Sequence, residues 1–149
     1  MQVFIDDTRK KLEVFNEIFD RLKFFNQILL KLLLPNKKIV ISKENGFLFK
    51  TQDTDEVIPL HLLSSGEQHE IVMWYELLFM APKKSLILID EPEISLHVAW
   101  QENYIENLLE ILKILDIHII VATHSPQIIG PNWRLVHDLY KERKNADSD

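Results

Sequence analysis

Two short apolar runs constrain this chain more than any other feature: Ser85-Leu86-Ile87-Leu88-Ile89 and the stretch Ile117 to Ala122. Runs of this length, rich in branched residues, predict strands covered on both faces, as in parallel sheets. Between them, Leu96 to Leu115 places Trp100, Tyr104, Leu108, Ile111 and Ile114 or Leu115 on one side of a helix. Strand, helix, strand predicts a right-handed parallel crossover, and therefore an α/β fold.

The remaining periodicities add to this unit. From Thr8 to about Leu34, apolar residues recur at steps of three and four (Leu12, Phe15, Ile18, Phe19, Leu22, Phe25, Ile28, Leu29), which predicts a long amphipathic helix over 8–34. Thr8 or Asp7 can cap it and Pro35 ends it. Residues 38–50 predict a hairpin, with Glu44-Asn45-Gly46 supplying the turn. After the polar stretch Thr51 to Glu56 and Ile58-Pro59-Leu60, the residues Ile71, Trp74, Tyr75, Leu78 and Phe79 predict a helix from Gln68 to Met80, closed by Pro82. One short helical turn follows Pro126, and residues 141–149 are polar, as a frayed tail would be.

Bulk properties exclude several function classes. With 149 residues, 46% of them hydrophobic and 27% charged, the chain has the size and balance of one soluble globular domain spanning 1–149. It has no cysteine, so disulfides and thiolate metal sites are excluded and a reducing compartment is permitted. Lys31 breaks one apolar stretch, and Lys113, Asp116 and His118 break the other, so no membrane span is expected. Met1 to Asp7 has no basic region followed by an apolar core, so no signal peptide is indicated and a cytoplasmic location is expected. A net charge of -6 argues against nonspecific nucleic-acid binding by this chain, which requires clustered cations.

Three local patterns put reactive groups at element ends. The first strand terminates in Asp90-Glu91-Pro92-Glu93, at the carboxyl end where open α/β sheets bind ligands. There an Asp can hold Mg²⁺ and a neighbouring Glu can orient or deprotonate water, although a solvated acidic turn fits equally well. Leu63-Ser64-Ser65-Gly66-Glu67 opens a helix whose free N–H groups suit a phosphate, or it is an ordinary cap completed by Glu67 or Gln68. Thr123-His124-Ser125-Pro126 ends the second strand with a histidine able to donate to a terminal phosphate. His61, His69, His97, His118 and His137 have no metal-ligand spacing and read as structural.

In this order and spacing the three patterns resemble the ABC-type ATPase head. Leu63 to Gln68 looks like the ABC signature, Leu86 to Glu93 like an extended Walker B motif, Ser95-Leu96-His97 like the D-loop position and Thr123 to Pro126 like the switch histidine. The resemblance covers residues 60–130. It is closest to AAA-type ATPases of the SMC and OLD-nuclease kind, including Septu-type and retron-linked anti-phage defence ATPases. It implies a P-loop NTPase fold, of which this chain is the carboxyl-terminal lobe, with a long amino-terminal helix and a hairpin added.

It also implies two heads that sandwich ATP. Asp90 would serve Mg²⁺, Glu91 and His124 would be catalytic, with Glu91 as the base and His124 on the γ-phosphate, and Ser64, Ser65, Gly66 and Glu67 would form the signature site. Within that site Ser64 and Gly66 would reach ATP held by the opposite subunit. The implied partners are a second copy or a Walker A-bearing polypeptide, a nuclease or other effector, and nucleic acid through the complex.

One part of the family pattern is missing from the sequence. A Walker A loop reads Gly-x-x-x-x-Gly-Lys-Ser/Thr, and the only glycines here are Gly46, Gly66 and Gly130, none followed by Lys. Three explanations are expected, in this order: a piece of a longer ATPase, a subunit that pairs with a Walker A-bearing chain, or a degenerate module that only binds partners. In all three the isolated chain is expected to have negligible ATP affinity and turnover.

Overall fold

The computed structural model describes residues 2–32, 36–94 and 96–139. Helix α1 spans Gln2–Leu32, and a hairpin of β1 (Lys37–Ser42) and β2 (Gly46–Thr51) follows, extended by the two-residue strand β3 (Val57–Ile58). Helix α2 (Ser65–Tyr75) continues as a π turn over Glu76–Met80. Then come β4 (Leu86–Asp90), α3 (Val98–Gln101), α4 (Tyr104–Ile114), β5 (His118–Ala122) and α5 (Pro126–Ile129).

Helix α1 runs through positions 7 and 8, so Asp7 and Thr8 lie inside it and do not cap it. Residues 2–7 contain neither Gly nor Pro, and nothing in them stops a helix from propagating towards the amino terminus. Pro35, the expected stop, lies outside the described residues, as do Ser95 and the tail 141–149. Among the described side chains of α1, those in its last turns reach the core: Phe24, Phe25, Ile28 and Leu29 are buried, whereas Leu12, Phe15, Ile18 and Phe19 are exposed. Phe25 meets Phe47 edge-on at 5.1 Å and Phe79 at 5.6 Å, joining α1 to the hairpin and to the π turn. Arg21 Nη1 donates to Leu78 O at 2.7 Å, which satisfies a carbonyl in that turn.

The hairpin forms in the expected register, with Ser42 opposite Gly46 and Gly46 at φ +67°, a left-handed conformation that glycine adopts without a Cβ clash. β3 pairs antiparallel with β2 through Phe49 and Ile58. It is too short to leave an alternating pattern in the sequence.

The crossover unit departs from expectation in two ways. The helix expected over Leu96 to Leu115 is broken at Glu102-Asn103, where Asn103 takes φ −105° and ψ 6° and starts α4. The expected buried side nonetheless holds, with Tyr104, Leu108, Ile111 and Leu115 in the core. β4 and β5 pair in parallel as a two-stranded sheet, but they are not covered on both faces. Ile87, Ile89, Ile119 and Val121 pack against the core, while Leu86, Leu88 and Ile120 on the alternate face are exposed. Side chains alternate along a strand, and among the described residues no element covers that second face.

Candidate functional site

Parallel pairing of β4 with β5 places Asp90 opposite Ala122, so the carboxyl ends of both strands lie side by side. The Glu91 amide donates to Ala122 O at 2.8 Å and extends the ladder by one bond. Beyond it the chain turns sharply: Glu91 has φ +43°, a left-handed conformation that costs a non-glycine residue about 1–2 kcal/mol. This turn and the Pro92–Ile94 helical turn leave Asp90 exposed at the strand end and Glu91 beside the loop that follows β5.

His124 Nε2 stands 3.7 Å from Glu91 Oε1, close enough for an ion pair when the imidazole is protonated but beyond hydrogen-bond length. The His124 side chain is 92% exposed and that of Glu91 42% exposed, so both face open space above the strand ends. Three of the predicted residues, Asp90, Glu91 and His124, are therefore brought to one rim.

Glu93 and Gln101 support this rim, and sequence reasoning gave neither a role. Glu93 Oε1 accepts the His124 amide at 2.9 Å. Gln101 accepts the Ser125 hydroxyl at 3.1 Å and donates to Leu96 O at 3.3 Å. Burial opposes ionisation of Glu93. Its own amide, the Thr123 hydroxyl and the His124 and Ser125 amides outweigh burial and hold the carboxyl below the ordinary range. The third acid of Asp90-Glu91-Pro92-Glu93 was the available signal, but its partner lies 31 residues away.

Ser64, Ser65, Gly66 and Glu67 open α2. Ser64 is the cap: its Oγ accepts the Glu67 amide at 3.3 Å, and Glu67 Oε2 accepts the Ser64 amide at 2.9 Å, a reciprocal capping box. Glu67 is 2% exposed and its carboxylate takes Lys37 Nζ at 2.7 and 2.8 Å. Burial disfavours its charge, but Lys37 and Ser64 prevail and keep the carboxyl below its usual range. Glu67 therefore braces the helix start from inside, while Ser64 and Ser65 remain exposed and Gly66 is partly so. Among the described residues, no hydrogen bond or ion pair joins this segment to Asp90, Glu91 or His124.

The donors at the rim suit a hard cation. Asp90 and Glu91 offer carboxylate oxygens, and among the described residues no group of three or more His, Cys, Asp or Glu is gathered as a metal cage. That donor set fits Mg²⁺, which keeps several waters and takes further ligands from phosphate, and it does not fit a dedicated zinc or calcium cage.

Residues 3–130 match the family model described as "AAA domain, putative AbiEii toxin, Type IV TA system". The chain belongs to this family of AAA ATPase domains. The AAA chain is 37% identical over 71 residues to the UvrABC system protein A of Chlamydia pneumoniae, covering 48% of this chain and 4% of that one. It is 46% identical over 43 residues to the Retron Ec83 probable ATPase of Escherichia coli, covering 29% of this chain and 8% of that one. Among solved structures it is similar to the SMC head bound to the C-terminal winged-helix domain of ScpA. That likeness has a TM-score of 0.52 and 20% identity, and it covers 81% of this chain and 39% of the head. The fold is thus α/β, a partial P-loop NTPase fold. The chain spans under a tenth of the length of these two curated relatives. Among the described residues no helix is long and apolar enough to cross a membrane.

Proposed function

We propose that this chain supplies the signature, Walker B and switch-histidine part of an ATP-hydrolysing head, with the Walker A loop provided from elsewhere. The observation that carries this reading is the 3.7 Å approach of His124 to Glu91 beside Asp90, at the carboxyl ends of two parallel strands. In it Glu91 accepts a proton from the attacking water and His124 donates to the γ-phosphate as charge develops there. Asp90 would hold Mg²⁺, and the ion when bound would neutralise phosphate charge. The exposed helix start at Ser64, Ser65 and Gly66 offers amides to ATP held by a second head, and Glu67 keeps that helix start in shape.

A second copy and a Walker A-bearing polypeptide are the partners of this reading. The exposed face of Leu86, Leu88 and Ile120 supports the need for further sheet and helix elements, since an apolar face of this kind is rarely left open in a finished head. A cytoplasmic setting follows, with a DNA-repair or anti-phage effector such as a nuclease as the device driven by hydrolysis. The likeness to the Retron Ec83 probable ATPase supports the retron-linked part of that context. The same apolar face also favours a second reading, a non-catalytic interaction module descended from such a head.

Calorimetry with Mg-ATP tests the split-site reading. The isolated 149 residues are expected to show no binding, and the head completed with its Walker A segment is expected to bind. Micromolar binding by the isolated chain overturns it.

A further inference from the structure

The switch-region loop Thr123–Ser125 is held by side chains that the catalytic reading does not use. His124 presents an almost fully exposed imidazole, so side-chain packing does little to fix where it points. Its backbone is fixed instead. Glu93 Oε1 accepts the His124 amide at 2.9 Å, Thr123 Oγ1 accepts the Ser125 amide at 3.0 Å, and Gln101 Oε1 accepts the Ser125 hydroxyl at 3.1 Å. A carboxylate acceptor makes the first of these the strongest of the three. Glu93 also sits two residues after Glu91, in the helical turn that follows it, so one short segment carries both the acid and the anchor for the histidine.

We propose that Glu93 is a positioning residue: by taking the His124 amide it locks the loop after β5 to the turn after β4 and sets the distance between His124 and Glu91. The proposal rests on the reading of His124 as the phosphate-contacting group. Gln101 acts from the other side, donating to Leu96 O and to Glu93 O, at 3.3 and 3.4 Å, while it holds Ser125. The His124 amide bonds Glu93 Oε1 directly, and the Thr123 hydroxyl and Ser125 amide also favour the charged carboxylate, so the whole loop gathers on this one side chain.

Amide hydrogen exchange followed by NMR on the full chain tests the lock without any nucleotide. In Glu93→Ala the His124 amide is expected to exchange at least about ten-fold faster than in the native chain, while amides of Ile39 and Val40 in the hairpin and of Leu108 in α4 keep their rates. Glu93→Gln, whose amide oxygen still accepts, is expected to restore part of the protection and to move the His124 amide resonance towards that of a weaker hydrogen bond. An unchanged His124 rate in Glu93→Ala overturns the proposal, as does an equal rise across the hairpin and α4. Should Glu93→Ala not fold, an unchanged His124 resonance in Glu93→Gln overturns it. Because ATP takes no part, this outcome and the fate of the proposed hydrolysis are read separately.

Discussion

Trp74 Nε1 donates a 2.8 Å hydrogen bond to Glu70 Oε2 inside α2, and both side chains are 1% exposed. The other Glu70 oxygen is buried and has no hydrogen-bond partner. Burial, only partly offset by Trp74, pushes the Glu70 carboxyl up to about 7. Burial and the nearby charges of Glu70 and Glu93 likewise push the Tyr104 phenol upward.

The folded chain therefore holds a proton on Glu70 that the unfolded chain releases at about pH 4–5. The contribution of Glu70 to stability is greatest below that range, falls as pH rises towards about 7 and levels off above it, by on the order of 3 kcal/mol in all. Urea unfolding at pH 5 and pH 8 reads this loss. Glu70→Gln is expected to flatten the dependence and to be the more stable protein at pH 8. Equal pH slopes in the two proteins would contradict the assignment.

The Lys37 and Glu67 pair predicts an asymmetric response to truncation. Lys37→Ala leaves a buried carboxylate with only Ser64 for company and is expected to cost about 2–3 kcal/mol in urea unfolding, discounted because Lys37 is partly solvated. Since Glu67 titrates below its usual range, this contribution is present above the ordinary carboxylate pKa and is lost as pH falls below it. A change under about 0.5 kcal/mol would show that the helix start stands without the pair.

Leu88 is 71% exposed on a strand, next to Leu86 and Ile120, each 56% exposed. The chain at high micromolar concentration is expected to self-associate through this face, and Leu88→Lys to shift it towards monomer without lowering its thermal midpoint. Sedimentation velocity distinguishes the two. An unchanged distribution would move the contact elsewhere.

Glu91 holds φ +43° where asparagine is better tolerated. Glu91→Asn is expected to raise stability by about 0.5–1 kcal/mol, and Glu91→Gln to leave it level. Chemical unfolding of both variants checks whether strain at this turn is retained for the acid it carries.

Much of this arrangement was legible from the order of residues. The apolar runs located β4 and β5, and the acids and His124 at their ends followed from that placement alone. Two-sided burial did not follow, because an apolar run records what a strand is able to bury and not which neighbours are present to bury it. The break at Glu102-Asn103 was hidden because apolar spacing continues across it from Trp100 to Tyr104. Glu67 was readable as half of a capping box with Ser64, but its pairing with Lys37, 30 residues earlier, was not. Glu93 and Gln101 escaped for the same reason, since their partners in the Thr123–Ser125 loop are 31 and 24 residues away.

The central claim is that Glu91 and His124 act on ATP shared between two heads. The most direct measurement is steady-state hydrolysis and sedimentation of a head completed with a Walker A-bearing polypeptide, carrying either native Glu91 or Glu91→Gln. Hydrolysis by the native head, with Glu91→Gln at least about a hundred-fold slower and held as an ATP-bound dimer, is the predicted result. Turnover by Glu91→Gln at the native rate, with no ATP-dependent dimer, would contradict it.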